Sequence, residues 1–168
     1  MRQRTKAREY ALQLLYQIDL IHADPKQLIE DFCALHKAPG EIKAFVTQLV
    51  EGAVQHRAEI DALIATHADN WNLKRMAVVD RNILRMGAFE LLFLDEVPPK
   101  VCLNEAVELA KRFGDAESGK FVNGILDTIH KTHARRPACA ASGEPEGDAA
   151  GRHDYPPGSE TTTPSVSP

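Results

Sequence analysis

The chain lacks most of what would mark an enzyme, a secreted protein or a membrane protein. Its 168 residues include only three cysteines, Cys33, Cys102 and Cys139, far apart and outside any CxxC pair. That spacing argues against a disulfide framework or a zinc ribbon and fits reduced thiols. No apolar run approaches the roughly 18 residues that span a bilayer. The first hydrophobic stretch is amphipathic and broken by Gln and Asp, so it does not read as a signal-peptide core. The expected location is cytoplasmic. No segment alternates apolar and polar residues as a half-buried strand does.

Catalytic groupings are equally scarce. His22, His36, His56, His67 and His153 are scattered, with no HExxH and no ligand-spaced cysteine. His130 and His133 stand three apart and read as surface residues at a helix end. Gly114 to Lys120, GDAESGK, matches half of a phosphate-binding loop, yet Phe121 stands where Ser or Thr should hold the metal. No strand precedes that loop, and Asp115 and Glu117 would repel a phosphate. Glu105 and Glu108 read as solvated acids beside Lys111 and Arg112. Glu90 differs, because it sits inside an apolar helix and must find a partner, by default an arginine or a backbone donor. The expectation is a protein that is not an enzyme, with no catalytic residue, no cofactor and no metal.

What the chain does have is helical periodicity. Ala7, Tyr10, Ala11, Leu14, Leu15, Ile18 and Ile21 keep a three-and-four spacing. Asp24-Pro25 closes that helix and opens the next, with Leu28, Ile29, Phe32 and Leu35 as its buried stripe. After Pro39-Gly40 one long pattern runs from Ile42 through Ile64. Beyond Trp71 comes a helix apolar nearly all round, from Val78 to Leu94, which suits a central buried element. Pro98-Pro99 ends that region. Leu103, Ala106, Val107, Ala110 and Phe113 mark a short helix closed by Gly114. Asp115 suits the N-cap of the last, which carries Phe121, Val122, Ile125, Leu126 and Ile129. The pattern is that of an all-α protein of about six or seven helices.

The body spans residues 1–136, and a change in composition begins at Pro137. Residues 137–168 contain six of the ten prolines, four of the ten glycines and no Leu, Ile or Phe. Such a segment cannot bury enough apolar surface to offset the entropy of ordering it and reads as a disordered acidic tail. It carries Arg152 against five acids, which leaves residues 1–136 with 19 positive and 19 negative side chains.

Against that neutral body, Arg2, Arg4, Lys6 and Arg8 stand out, with no acid among them. A cationic stretch on an ordered helix can dock phosphates or remain merely solvated. At about 100° per residue, Arg4 and Arg8 share a flank of the first helix, and Arg81 and Arg85 repeat the spacing on the central one. If the two pairs converge they form a positive groove suited to single-stranded RNA, for which Phe121, beside Lys120, offers a stacking platform. Arg81 pairing with an acid such as Asp80, or Phe121 lying in the core, are the plainer alternatives.

Several strings together resemble the NusB family of bacterial antitermination factors. They are Ala7-Arg8-Glu9 with Ala11-Leu12-Gln13 and Leu15-Tyr16, then Trp71, Leu73 and Arg75. Val79-Asp80-Arg81, Ile83-Leu84-Arg85 and Phe89-Glu90-Leu91 follow, then Asn104 to Lys111 and Phe121 to Asp127. The resemblance covers about residues 4–133. It implies two small helical bundles packed together, divided here near 1–70 and 71–136. It also implies binding to the boxA element of ribosomal-RNA leader transcripts, pairing with NusE (a small-subunit ribosomal protein) and joining of elongating RNA polymerase. Carried onto this chain, the implied RNA contacts are Arg2, Arg4, Lys6, Arg8, Asp80, Arg81, Arg85, Lys120 and Phe121. The NusE surface is assigned to the second bundle.

Thr5 interrupts the basic run, and Phe89 stands where many members have Tyr. The tail is no part of the family pattern; one hypothesis is that it screens the cationic strip. Two other readings stay open. One is a relative of the helical RNA-binding domain of ribosomal-RNA cytosine methyltransferases, although the chain has no room for a cofactor-binding α/β domain. The other is a protein-binding helical scaffold with solvated cations. A homodimer through the same surface also stays open.

Overall fold

The computed structural model describes residues 2–68 and 72–133; Trp71 and the whole of the expected tail lie outside them. Among the described residues there are seven α-helices and no strand. In order they are α1 (Arg2–Ile21), α2 (Pro25–Leu35), α3 (Gly40–Gln55), α4 (Arg57–His67), α5 (Val78–Phe93), α6 (Pro99–Phe113) and α7 (Ser118–Thr132). A single 3₁₀ turn, Leu73–Arg75, precedes α5. The all-α expectation and most of the breaks hold. Pro25 and Pro99 occupy first-turn positions, where a missing N–H costs nothing.

The long pattern from Ile42 to Ile64 is two helices, α3 and α4, broken at His56. There the imidazole stacks on Phe93 at 4.1 Å between ring centroids, a tertiary contact that periodicity cannot register. Gly114 does end α6, in extended rather than left-handed conformation. Its role is room: a Cβ there would stand 2.4 Å from the Ser118 hydroxyl oxygen.

One group of helices forms around α1, α2 and α3, and another around α5, α6 and α7, with α4 bridging them by packing on α3, α5 and α7. The central role of α5 is confirmed. It touches α1, α3, α4, α6 and α7, and every residue from Asn82 to Phe93 is buried. Phe89 shows how close the packing is. The tip of its ring presses on α3 at Gly52, where any Cβ would meet the ring at 2.0–2.5 Å.

Three apolar residues expected on buried stripes are exposed: Ile21 at 66%, Leu35 at 78% and Phe113 at 39%. Each lies at the last position of its helix, where the periodicity continues but no facing helix remains.

Candidate nucleic-acid interface

Helices α1 and α5 run antiparallel, and their seam holds ions as well as hydrocarbon. Near one end Arg8 Nε donates to Glu90 Oε1 at 2.9 Å and to Oε2 at 3.2 Å. Arg8 Nη2 lies 2.7 Å from Oε1 but outside hydrogen-bond geometry. Both residues are fully buried, at 2% and 1% exposure. Glu105 on α6 stands 3.7 Å from Arg8 and accepts from the Thr5 hydroxyl at 2.9 Å. Burial pushes the Glu90 carboxyl above its ordinary value; Arg8 opposes this and Glu105 adds to it. The arginine partner expected for Glu90 is therefore found. Glu105, expected to be solvated, belongs to the same cluster because α6 packs it over the seam.

At the other end the anchor is Asp19. Arg81 donates to Asp19 Oδ2 from Nε at 2.9 Å and from Nη2 at 2.7 Å, and Asn82 adds a bond at 3.1 Å. Arg85 grips Asp61 on α4 with two bonds of 2.7 and 3.0 Å, and its Nη1 lies 3.2 Å from Asp19 Oδ2. Burial alone would raise the Asp19 carboxyl. The bonds from Arg81 and Asn82 and the charge of Arg85 outweigh it and hold the group below its ordinary value.

These contacts correct the expected groove. Arg4 and Arg8 do share a face, with their guanidiniums 4.9 and 5.2 Å from the Phe45 ring. That face turns onto α3, however, and Arg8 has no surface to offer a phosphate. Arg81 and Arg85 are bound within the seam, their side chains 13% and 6% exposed. Arg8 and Asp19 are eleven residues apart on α1, roughly 16 Å at 1.5 Å per residue, so the two arginine pairs do not converge. Asp80 does not pair with Arg81; it is 8% exposed, and its Oδ1 has no hydrogen-bond partner among the described residues. Burial raises its carboxyl, the Ser118 hydroxyl lowers it, and Asp115 raises it again.

A different positive surface is present. Arg2, Arg4 and Lys6 are exposed on the first turns of α1. Lys6 reaches Glu9 at 3.1 Å, and the same carboxylate binds Arg112 from the last turn of α6. Next to Arg112, Lys111 lays its stem against Gly119 on α7, and exposed Lys120 follows. Arg2, Lys6, Arg112, Lys111 and Lys120 thus form a band crossing α1, α6 and α7, while Arg4 lies on the other flank of α1 beside Phe45 and Glu96. Lys111 and Arg112 do not stand out in the sequence, where they read only as neighbours of Glu105 and Glu108. Two cations in the last turn of a helix that ends in Gly are the signal that marks them.

Phe121 lies beyond the band. Half-buried, it lines a hollow of about 190 Å³ with Met76, Ala77, Asp80, Asp115, Glu117 and Ser118. The phosphate-loop likeness of GDAESGK fails here on geometry too. Asp115 Oδ1 accepts from the backbone N–H groups of Glu117 and Ser118 at 2.9 and 3.1 Å, so the loop's own carboxylate occupies the donors a phosphate would need. Asp115 is not the N-cap expected of it: α7 begins at Ser118 with Glu117 at the cap position, and the Asp115 carboxylate closes the turn just before the helix. Acids stand among the cations as well, with Glu96 3.9 Å from Arg4 on its own flank and Glu108 3.6 Å from Lys111 within the band. Its net field is therefore modest.

Comparison with known proteins places this architecture. A family model described as the NusB family matches residues 5–131. The transcription antitermination protein NusB of Syntrophus aciditrophicus is 46% identical over 136 residues, 80% of this chain and 84% of that one. The protein of the same name from Bacillus licheniformis is 48% identical over 130 residues, 77% of this chain and 96% of its own. Among solved structures, T. maritima NusB superposes with a TM-score of 0.73 at 38% identity, covering 78% of this chain and 92% of that one. A structure of antitermination factors NusB and NusE in complex with dsRNA matches with a TM-score of 0.73 at 35% identity, covering 79% and 99%. The family match over nearly all the described helices, and relatives of almost full length, establish that the chain belongs to the NusB family.

Proposed function

We propose that the protein is a non-enzymatic transcription antitermination factor. In this reading it binds boxA-type RNA of ribosomal-RNA leaders together with NusE and joins the elongating RNA polymerase. The observation that carries the RNA part is the band of exposed cations, Arg2, Lys6, Lys111, Arg112 and Lys120, that three helices assemble and that leads toward Phe121, with Arg4 exposed on the other flank of α1. Guanidinium and ammonium groups hold a phosphate chain, and an aromatic at its end accepts an unstacked base, an arrangement suited to a single strand. Arg8, Arg81, Arg85 and Asp80 serve this site by fixing α1, α5 and α7 rather than by touching RNA. The solved complex of a relative with NusE and RNA supports the choice of partners.

The interleaved acids predict weak binding by the protein alone and tighter binding with NusE. Fluorescence anisotropy of a labelled boxA oligonucleotide, titrated with the protein in the presence and absence of NusE, tests this. Absence of binding in both arms overturns the reading in favour of a protein-binding scaffold.

A further inference from the structure

Where α4 and α7 end, two imidazoles face each other. His67, the last residue of α4, and His133, the cap of α7, bring their Nε2 atoms to 3.0 Å, with ring centroids 5.2 Å apart and planes at 74°. The side chains are half-buried, 66 positions apart in sequence, and join the helix bridging the two bundles to the last helix of the second. Neither the RNA reading nor the ionic seam uses them. His130, three residues before His133, remains exposed to solvent.

A hydrogen bond between two neutral imidazoles leaves one Nε2 bare and the other bearing hydrogen. Moving that hydrogen to Nδ1 gives two bare Nε2 atoms directed at one point, with no proton gained or lost. A borderline divalent ion held at about 2.0–2.1 Å from each nitrogen in tetrahedral geometry needs the nitrogens about 3.3 Å apart. The rings already stand within a few tenths of an ångström of that, so a small swing of two surface side chains admits the ion. Both helices also direct their carboxyl ends, the negative ends of their dipoles, toward this place. No third His, Cys, Asp or Glu completes a metal cluster among the described residues, so the two histidines are the ligands these residues supply.

We propose that His67 and His133 form a two-histidine site for a divalent transition ion of the zinc and nickel class, which pins α4 to α7. Imidazole nitrogen selects such ions over magnesium or calcium. An ion bound to the folded state alone raises the unfolding midpoint by mass action.

The test is thermal unfolding of the full chain with EDTA, with Mg²⁺ and with Zn²⁺. Zinc should raise the midpoint by ~5 °C or more at saturation, and magnesium should not. His67→Ala and His133→Ala should each abolish the zinc increment whatever they do to the midpoint in EDTA, and His130→Ala should keep it. Calorimetric titration should give one zinc per chain, lost in both His67→Ala and His133→Ala. The proposal is overturned by no zinc increment in the parent protein, or by an increment that survives His67→Ala or His133→Ala.

Discussion

Arg8 and Glu90 lie 82 positions apart in the chain and 2.9 Å apart in the fold, and together they form the most deeply buried ion pair among the described residues. Removing one member of such a pair leaves a charge stranded in the interior, which typically costs about 3–5 kcal/mol. Arg8→Ala is therefore expected to destabilise the fold by that order, while the double change Arg8→Met with Glu90→Leu costs far less. Urea unfolding of the three proteins measures this. A stable Arg8→Ala variant with weakened RNA binding and a shallower salt dependence would instead return Arg8 to the phosphate-binding set.

The cationic band should behave in the opposite way. Arg2→Ala, Lys111→Ala and Lys120→Ala remove exposed charges, and each should leave stability within about 0.5 kcal/mol. For every phosphate left without its cation, the slope of log affinity against log salt should fall by about 0.7 for a single strand. Phe121→Ala should weaken binding by about 1–3 kcal/mol with the slope unchanged, since stacking releases no counterions. If residues 137–168 screen the band, deleting them tightens RNA binding at low salt. Unchanged affinity there removes the screening role.

Gly52 and Phe89 make a packing pair with a sharp signature. Gly52→Ala drives a methyl group into the ring and should cost about 1–3 kcal/mol. Phe89→Ala opens a cavity worth about 3–5 kcal/mol. In the double variant the new methyl group occupies space the ring has left, so the total loss should be smaller than the sum. A denaturation double-mutant cycle giving simple additivity would contradict the contact.

The pH response of Asp19 follows from its lowered folded-state value. The unfolded carboxyl titrates near 3.9, so the contribution of Asp19 is complete above that pH. It is lost as pH falls through the lower folded-state value. Asp19→Asn should therefore be less stable than the parent at neutral pH, with the gap narrowing below about pH 4. Unfolding curves from pH 7 to pH 2 check it; a gap that does not vary with pH assigns Asp19 no ionic role.

Much of this architecture was legible in the sequence because burial on helices leaves a period. The α5 pattern announced a central helix, and the carboxylate of Glu90 within it announced a partner. What periodicity could not supply was the identity of the facing element. Arg8 and Lys6 look alike in a list of cations, and only the arrival of α5 and α6 over one flank of α1 separates them. Asp19 gave no sign in the sequence, since one acid near a helix end is ordinary until Arg81, Asn82 and Arg85 close on it. Lys111 and Arg112 joined the exposed cationic band only through Glu9 and Gly119, neighbours set by the packing of α6 beside α1 and α7.

The ionic seam also acts as a ruler for assembly. Arg8 meets Glu90 at one end and Asp19 meets Arg81 at the other. A slide of one helical turn, about 5.4 Å, would strand charges at both ends together. Hydrocarbon alone would tolerate several axial settings of α1 against α5; these two anchors admit one. The exposed cations Arg2 and Lys6 that begin α1 are thereby delivered to a fixed position on the side of α1 where Glu9 binds Arg112, so the strip proposed to hold phosphates is set by folding alone.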